Sequence, residues 1–359
     1  MEAIFILHFV ALILHSVSCG FSWSHNNDVF TNRDFWYPKF EYKSTNISVT
    51  TETVRVVVGE KQNYMSWITT NEFITALSHL LAVLYMFFSK YSHDFEIWRR
   101  TIEYTATAAI LQVALVLGAG DVLFQDVVFI FAINAAIQYI GYQLDKIDYQ
   151  ELINCGVLAG EKWFTSSSWA LSTPLFVVAF GLLISELVYV FTLSTTISFG
   201  PGPLENQQGF LIFIGIFYIL FYLSFGSVKV FGHYYRMDLK YTDEDWFLTE
   251  DCIYVILSVT CKISLSWMLV GNIYNGFYNL CENESNEQCD TVKQDEFYGK
   301  WNGFQIFLTI FGFVGILGSI YLGNKSRREI KELERQERDN QRRKKNKDQK
   351  SLLGLDWLW

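Results

Sequence analysis

A chain of 359 residues that is 51% hydrophobic and 17% aromatic, with four prolines, has the make-up of a polytopic helical membrane protein and not of a soluble multidomain one. Its net charge of −9 hides an asymmetry, because twelve of the 28 Lys and Arg residues follow Leu322. No solenoid repeat, dinucleotide fingerprint, phosphate loop, HExxH or paired CxxC is present, which makes classical cofactor and metal enzymes poor candidates.

Eight apolar runs predict helices at about 4–20, 71–89, 101–120, 126–143, 167–193, 209–231, 251–273 and 301–323. In lipid only helices or closed barrels satisfy the backbone, so an all-α bundle is expected. Residues 1–20 are read as a first transmembrane helix. A cleaved signal peptide is the alternative, although the segment lacks a basic start and carries His8 and His15 at helical spacing. Cleavage would leave seven spans, the layout of a G-protein-coupled receptor, but no DRY or NPxxY string supports that reading.

Residues 21–70 form a long outer loop in which ISVTTETVRVVV alternates imperfectly with many β-branched residues, predicting a β-ribbon. The bundle proper is expected over 71–273, followed by an outer loop (274–300), an additional helix (301–323) and a basic tail (324–359). One set of loops carries Lys90, Arg99, Arg100, Lys146, Lys162, Arg236 and Lys240; the opposite short loops, around 121–125 and 194–208, carry no Lys or Arg. The positive-inside rule then places both termini in the cytoplasm. The glycosylation sequons at Asn46 and Asn283 fall in loops read as outer, as do Cys281 and Cys289, whose spacing is compatible with a short disulfide. After residue 323 the chain reads as a charged helix or disordered tail whose basic cluster suits anionic lipid or a simple anchor. Its last residues, from Leu352 to Asp356, resemble a clathrin-box peptide, and Trp357 and Trp359 after them equally suit an aromatic interfacial anchor.

The chemistry is expected in DCIYVILSVTCKISLSWMLVGNI, residues 251–273, where Lys262 interrupts an apolar run more than two turns from either end. A buried lysine is a functional hypothesis by default. Its amine can form a Schiff base with an aldehyde, or can pair with a carboxylate for helix packing. Ser258 and Ser266 lie one turn to either side. Two intramembrane acids are candidates to accompany it, Glu103 and Glu186. At 1.5 Å per residue, Glu103 lies roughly 15 Å along its helix and Lys262 roughly 24 Å along its own, heights compatible with contact. The other reading of Glu103 is an interfacial carboxylate paired with Arg99 or Arg100. Glu186, deep in FGLLISELVYVF, is costly there unless protonated or hydrated, which suits either a proton relay or a hydrogen bond to Ser185, Thr195 or a fourth-span amide.

The string LSVTCKISLSW resembles the retinal-lysine helix of heliorhodopsins, and RRTIEYTATAAI, with Glu103-Tyr104-Thr105, resembles their counterion segment. GAGDVLFQDVVFIFAINAAIQYIGY and LFYLSFGSVKVFGHYY are similar to the family's third-to-fourth and sixth helices, so the likeness covers residues 71–273 and extends more weakly to the N-terminus. The resemblance implies a seven-helix rhodopsin-like bundle of inverted topology, with a β-ribbon in the first outer loop. It implies all-trans-retinal on Lys262, Glu103 as counterion, Ser258 near the Schiff base, and Phe221, Phe225 and Trp267 as pocket walls. The family also uses histidines of the first two helices. Here His8 matches the first, whereas Met86 occupies the second position and His79 lies two turns away. The function implied is photosensory, with light-gated passive proton transport through Glu186, His8 and His79 as the alternative. A non-photochemical membrane enzyme or scaffold with a structural lysine is a further one. Expected partners are retinal, the lipid bilayer, a second copy in a homodimer and a cytoplasmic signalling or trafficking protein; neither enzymatic activity nor nucleic-acid binding is expected.

Overall fold

The computed structural model describes residues 2–24, 32–44, 49–155, 167–197, 208–238, 244–270 and 301–352. Asn46, Asn283, Cys281, Cys289 and the tail from 353 onward lie outside the described residues. In chain order the elements are α1 (Glu2–Ser24), β1 (Asn32–Ser44), β2 (Val49–Asn63), α2 (Tyr64–Phe88), α3 (His93–Ala119), β3 (Val122–Leu123), α4 (Phe124–Cys155), α5 (Ser167–Ile197), α6 (Gln208–Asp238), α7 (Glu244–Leu257) and α8 (Trp301–Leu352). A π-helical turn, Ser258–Lys262, follows α7, and the helix resumes over 263–270. Among the described residues eight helices are long and apolar enough to cross a membrane, the character of a multi-pass membrane protein.

Helix starts follow local chemistry. Asn63 caps α2 by accepting from the backbone N–H groups of Met65 (2.9 Å) and Ser66 (3.4 Å). Ser92 caps α3 through Phe95 N–H, and Asp94 and Glu96 put negative charge in its first turn, where the helix dipole favours it. In α1, Ile4, His8, Ala11, His15, Ser18 and Ser22 are buried, a stripe recurring every three to four residues that packs on α2.

Burial separates centre from rim. In α3 83% of the most apolar window is buried, and in the seventh span 94%, against 17% in α5. The polar groups of α3 and α7 are therefore served by side chains of neighbouring helices and not by solvent.

The ribbon forms as expected, with narrower limits. β1 and β2 pair antiparallel, with register shifts around Phe35, and β3 adds in parallel through Phe35↔Val122 and Trp36↔Leu123. Buried Phe35 packs its ring against Trp67 at the start of α2 (5.9 Å), so the sheet sits on one end of the bundle. That end is called the ribbon end here, and the opposite one the far end.

Two expectations need correction. The second helix begins at Tyr64, capped by Asn63, and not near 71; Glu72 is therefore fully buried two turns inside it. Arg99 and Arg100, taken as loop charges, are buried in α3 at 4% and 5% exposure, neutralised by carboxylates.

The eighth helix is continuous for 52 residues through the predicted end at 323. It lies on α6 and on the π turn through glycines: a Cβ on Gly312 would collide with the Phe221 ring, and one on Gly315 with the Thr260 side chain. Ser264 Oγ donates to the Leu308 carbonyl (2.8 Å), and the Thr249 and Ser326 hydroxyls meet at 3.1 Å.

Candidate functional site

Lys262 closes the π turn, a local widening that often marks functional positions. Its ammonium group is buried and all three donor positions are used: Glu103 Oε1 at 2.6 Å, Thr107 Oγ1 at 2.8 Å and Thr75 Oγ1 at 3.4 Å. The Tyr104 ring lies 4.6 Å away. The other oxygen of Glu103 accepts from Ser78 Oγ and from Arg99 Nη1, both at 2.7 Å. The two readings of Glu103 are therefore both realised in one carboxylate, which bridges Lys262 and Arg99. Arg100 points elsewhere.

From this pair a polar column runs both ways between α1, α2, α3 and the seventh span. Toward the ribbon end, Ser266 Oγ donates to Glu72 Oε1 (2.5 Å), and His15 Nδ1 meets Glu72 Oε2 (2.6 Å). Toward the far end, Arg99 pairs with Glu96 (2.9 Å), which faces His8 Nε2 (3.4 Å), and His8 Nδ1 meets His79 Nδ1 at 2.8 Å. Two facing Nδ1 atoms at that distance share one hydrogen, so at most one of the two rings is a cation. The column holds three carboxylates, Glu72, Glu96 and Glu103, against two cations, Lys262 and Arg99.

On the opposite face of Lys262 lies a cavity of about 140 Å³ between α3, α4, α5, α6 and the seventh span. Tyr104, Phe180, Leu183, Tyr222, Phe225 and Gly141 are among its walls, and Arg100, Asp145 and Lys229 close its far end. There Arg100 donates to Asp251 (2.8 Å) and Asp145 (3.1 Å), Lys229 pairs with Asp145 and with Glu250, and His93 meets Asp251 (2.7 Å). Tyr91, between α2 and α3, donates to the same Asp251 (2.5 Å); burial first, and then that carboxylate, push its phenol far above the ordinary range.

Glu186 occupies a separate buried cluster. Asn134 Nδ2 donates to Glu186 Oε1 and to Gln112 Oε1, and also reaches the Ile130 carbonyl (3.0 Å). Of the partners considered for Glu186, the fourth-span amide is the one found; the Thr195 hydroxyl turns to the Phe191 carbonyl (2.9 Å).

The remaining predicted residues divide. Phe225 lines the cavity. Phe221 instead packs on α8 beside Phe313 and Gly312, and Trp267 turns to α1, donating to Ser18 Oγ (2.9 Å) with its ring tilted against Phe21 (4.6 Å). Ser258 is buried beside Tyr104, and the hydroxyls on the Lys262 amine are those of Thr75 and Thr107. His79 joins His8 although it stands two turns from the expected position. Glu72, Glu96 and His15 went unrecognised as site residues. The signal for them was spacing: His8 and His15 are two turns apart on α1, and Glu72 and His79 two turns apart on α2.

Compared with known proteins, the chain matches no family model and no curated protein.

Proposed function

We propose that this chain is a retinal-binding photosensory membrane protein of heliorhodopsin type, attached through Lys262. The observation that carries the reading is a buried lysine amine, held against a carboxylate on one side and bordering an aromatic cavity on the other. The residues suit an apolar aldehyde in kind, since the cavity walls are mainly aromatic and aliphatic. In size the cavity is small against the roughly 300–1,000 Å³ of ordinary ligand sites. Occupancy therefore requires side chains between α5 and α6, such as Phe180 and Leu183, to give way.

Retinal, when bound, supplies light absorption and isomerisation. The protein's part is electrostatic. Glu103 balances the positive charge on the Lys262 nitrogen, and Arg99 and Ser78 fix the carboxylate in place. Thr75 and Thr107 orient the nitrogen. The His8–His79 pair, with one shared hydrogen and Glu96 beside it, is built to take up and pass on a proton. In this reading the termini face the cytoplasm, as the loop charges imply. The test is addition of all-trans-retinal to the expressed protein. A visible band that is absent from Lys262→Ala is expected; a reducible retinal adduct persisting in that variant overturns the assignment.

A second reading, light-gated passive proton transport, rests on the Glu186 cluster. Tyr222, which lines the cavity and donates to the Ala108 carbonyl (3.1 Å), stands 4.6 Å ring to ring from Tyr218, and Tyr218 lies beside Gln112. Patch-clamp recording under illumination decides it. Photocurrents that reverse with the proton gradient and disappear in Glu186→Gln support the path, and silence in the wild type at all voltages leaves the sensor alone.

A further inference from the structure

The eighth helix grips the chain on both sides of Lys262. Two residues before the lysine, Thr260 lies in the π turn with its side chain against Gly315, where the glycine leaves no room for a Cβ. Thr260 Oγ1 also donates to the Ile256 carbonyl (2.8 Å), inside the widened turn. Two residues after the lysine, Ser264 is fully buried and its Oγ donates to the Leu308 carbonyl of α8 (2.8 Å). Thr260 and Ser264 stand four residues apart and share one face, whereas Lys262, midway between them, is on the opposite side of the helix. The eighth helix thus presses on the back of the turn whose front carries the amine. A π turn is an uncommon backbone state, one that surrounding packing has to hold in place.

We infer that α8 is a positioning element of the lysine site: through the Thr260–Gly315 and Ser264–Leu308 contacts it holds the turn in the register that aims the Lys262 amine at Glu103 and at the cavity. The inference rests on the reading that retinal joins Lys262. Thr260, Ser264 and Gly315 are not among the cavity walls, so their effect on the amine passes through the backbone of the turn. A Cβ at Gly315 must either lift α8 or push the turn toward its front. A displacement of about 1 Å is enough to cost on the order of a hundredfold in the rate of a positioned reaction.

The experiment uses the full chain in nanodiscs, with all-trans-retinal as probe. Gly315→Ala is expected to slow the growth of the visible band about tenfold or more, and to move its maximum to longer wavelength as the nitrogen withdraws from Glu103. Gly318→Ala makes the same change one turn along α8, where a Cβ meets nothing within 4 Å, and should alter neither. Thr260→Gly added to Gly315→Ala clears the space again and should recover most of the rate and of the wavelength. Hydrogen exchange over 258–263, followed by mass spectrometry without retinal, should rise about tenfold in Gly315→Ala, the scale of an overpacked contact, and stay at the wild-type level in Gly318→Ala. Should Gly315→Ala not fold, Ser264→Ala carries the same readouts, with smaller changes in the same direction from the loss of one hydrogen bond. A wild type that forms no pigment defeats the retinal reading, and the exchange measurement then decides whether α8 holds the turn. Unchanged exchange over 258–263, a wild-type rate and wavelength in Gly315→Ala, equal changes in Gly318→Ala, or no recovery in the double variant each overturns the proposal.

Discussion

Two buried glutamates, Glu103 and Glu186, show how differently one bundle can accommodate a carboxyl. Glu103 lies between Lys262 and Arg99, with Ser78 as a third donor, and belongs to a column of five charged side chains drawn from α2, α3 and the π turn. Glu186 lies among amides, Asn134 and Gln112, and no cation is among its hydrogen-bond partners in the described residues. The first is an electrostatic arrangement in which every member depends on the others. The second is a local hydrogen-bonded cluster that an uncharged side chain of the same shape could complete.

The largest effect should come from Lys262→Ala, which removes the attachment point itself: the visible band formed with retinal is expected to be lost entirely, read by absorption spectroscopy. Next is Glu103→Ala, which strands Lys262 and Arg99. Removing one partner of a buried ion pair costs about 3–5 kcal/mol, so thermal unfolding should show a large destabilisation even without retinal. A melting temperature within a degree of wild type would contradict the dependence described for the column. Asn134→Leu should fall lower, at about 1–3 kcal/mol, because it leaves the carboxyl of Glu186 and the carbonyl of Gln112 without their shared donor. Smallest is Glu186→Gln, expected to cost about 1 kcal/mol or less, since an amide keeps the shape and most of the hydrogen bonding. If Glu186→Gln proves as damaging as Glu103→Ala, the contrast between the two sites fails. A mild stability change together with loss of light-driven current would sharpen it into a difference of roles.

Lys262, Glu103 and Glu186 were legible in the sequence because a charge inside an apolar run has few structural reasons to be there. The eight apolar runs likewise located the eight membrane-length helices among the described residues, and the β-branched alternation located β2 of the ribbon. Hydropathy failed where polar residues of one helix are served by another. Glu72 lies in the first turn of the run predicted at 71–89, where a carboxylate reads as belonging to the helix end; the helix in fact starts two turns earlier, and His15 and Ser266 enclose it. Asp145 and Glu250 stand in segments that read as solvated loops, and only the fold shows them buried, Asp145 against Arg100 and Lys229, and Glu250 against Lys229. Phe221 and Trp267 show the limit of spacing: an aromatic near the lysine in sequence can face α8 or α1 as readily as the cavity.

The unbroken eighth helix has a mechanical consequence. From Gly315, seated on Thr260 two residues before Lys262, to Leu352 the helix extends about 55 Å at 1.5 Å per residue. A tilt of about 5° at that glycine fulcrum swings the tip through about 5 Å, roughly one helical turn's rise. The swung end presents Arg342, Arg343, Lys344 and Lys345 to solvent. The fold thus couples the turn that carries the buried lysine to a pointer bearing concentrated positive charge, with a gearing set by helix length alone.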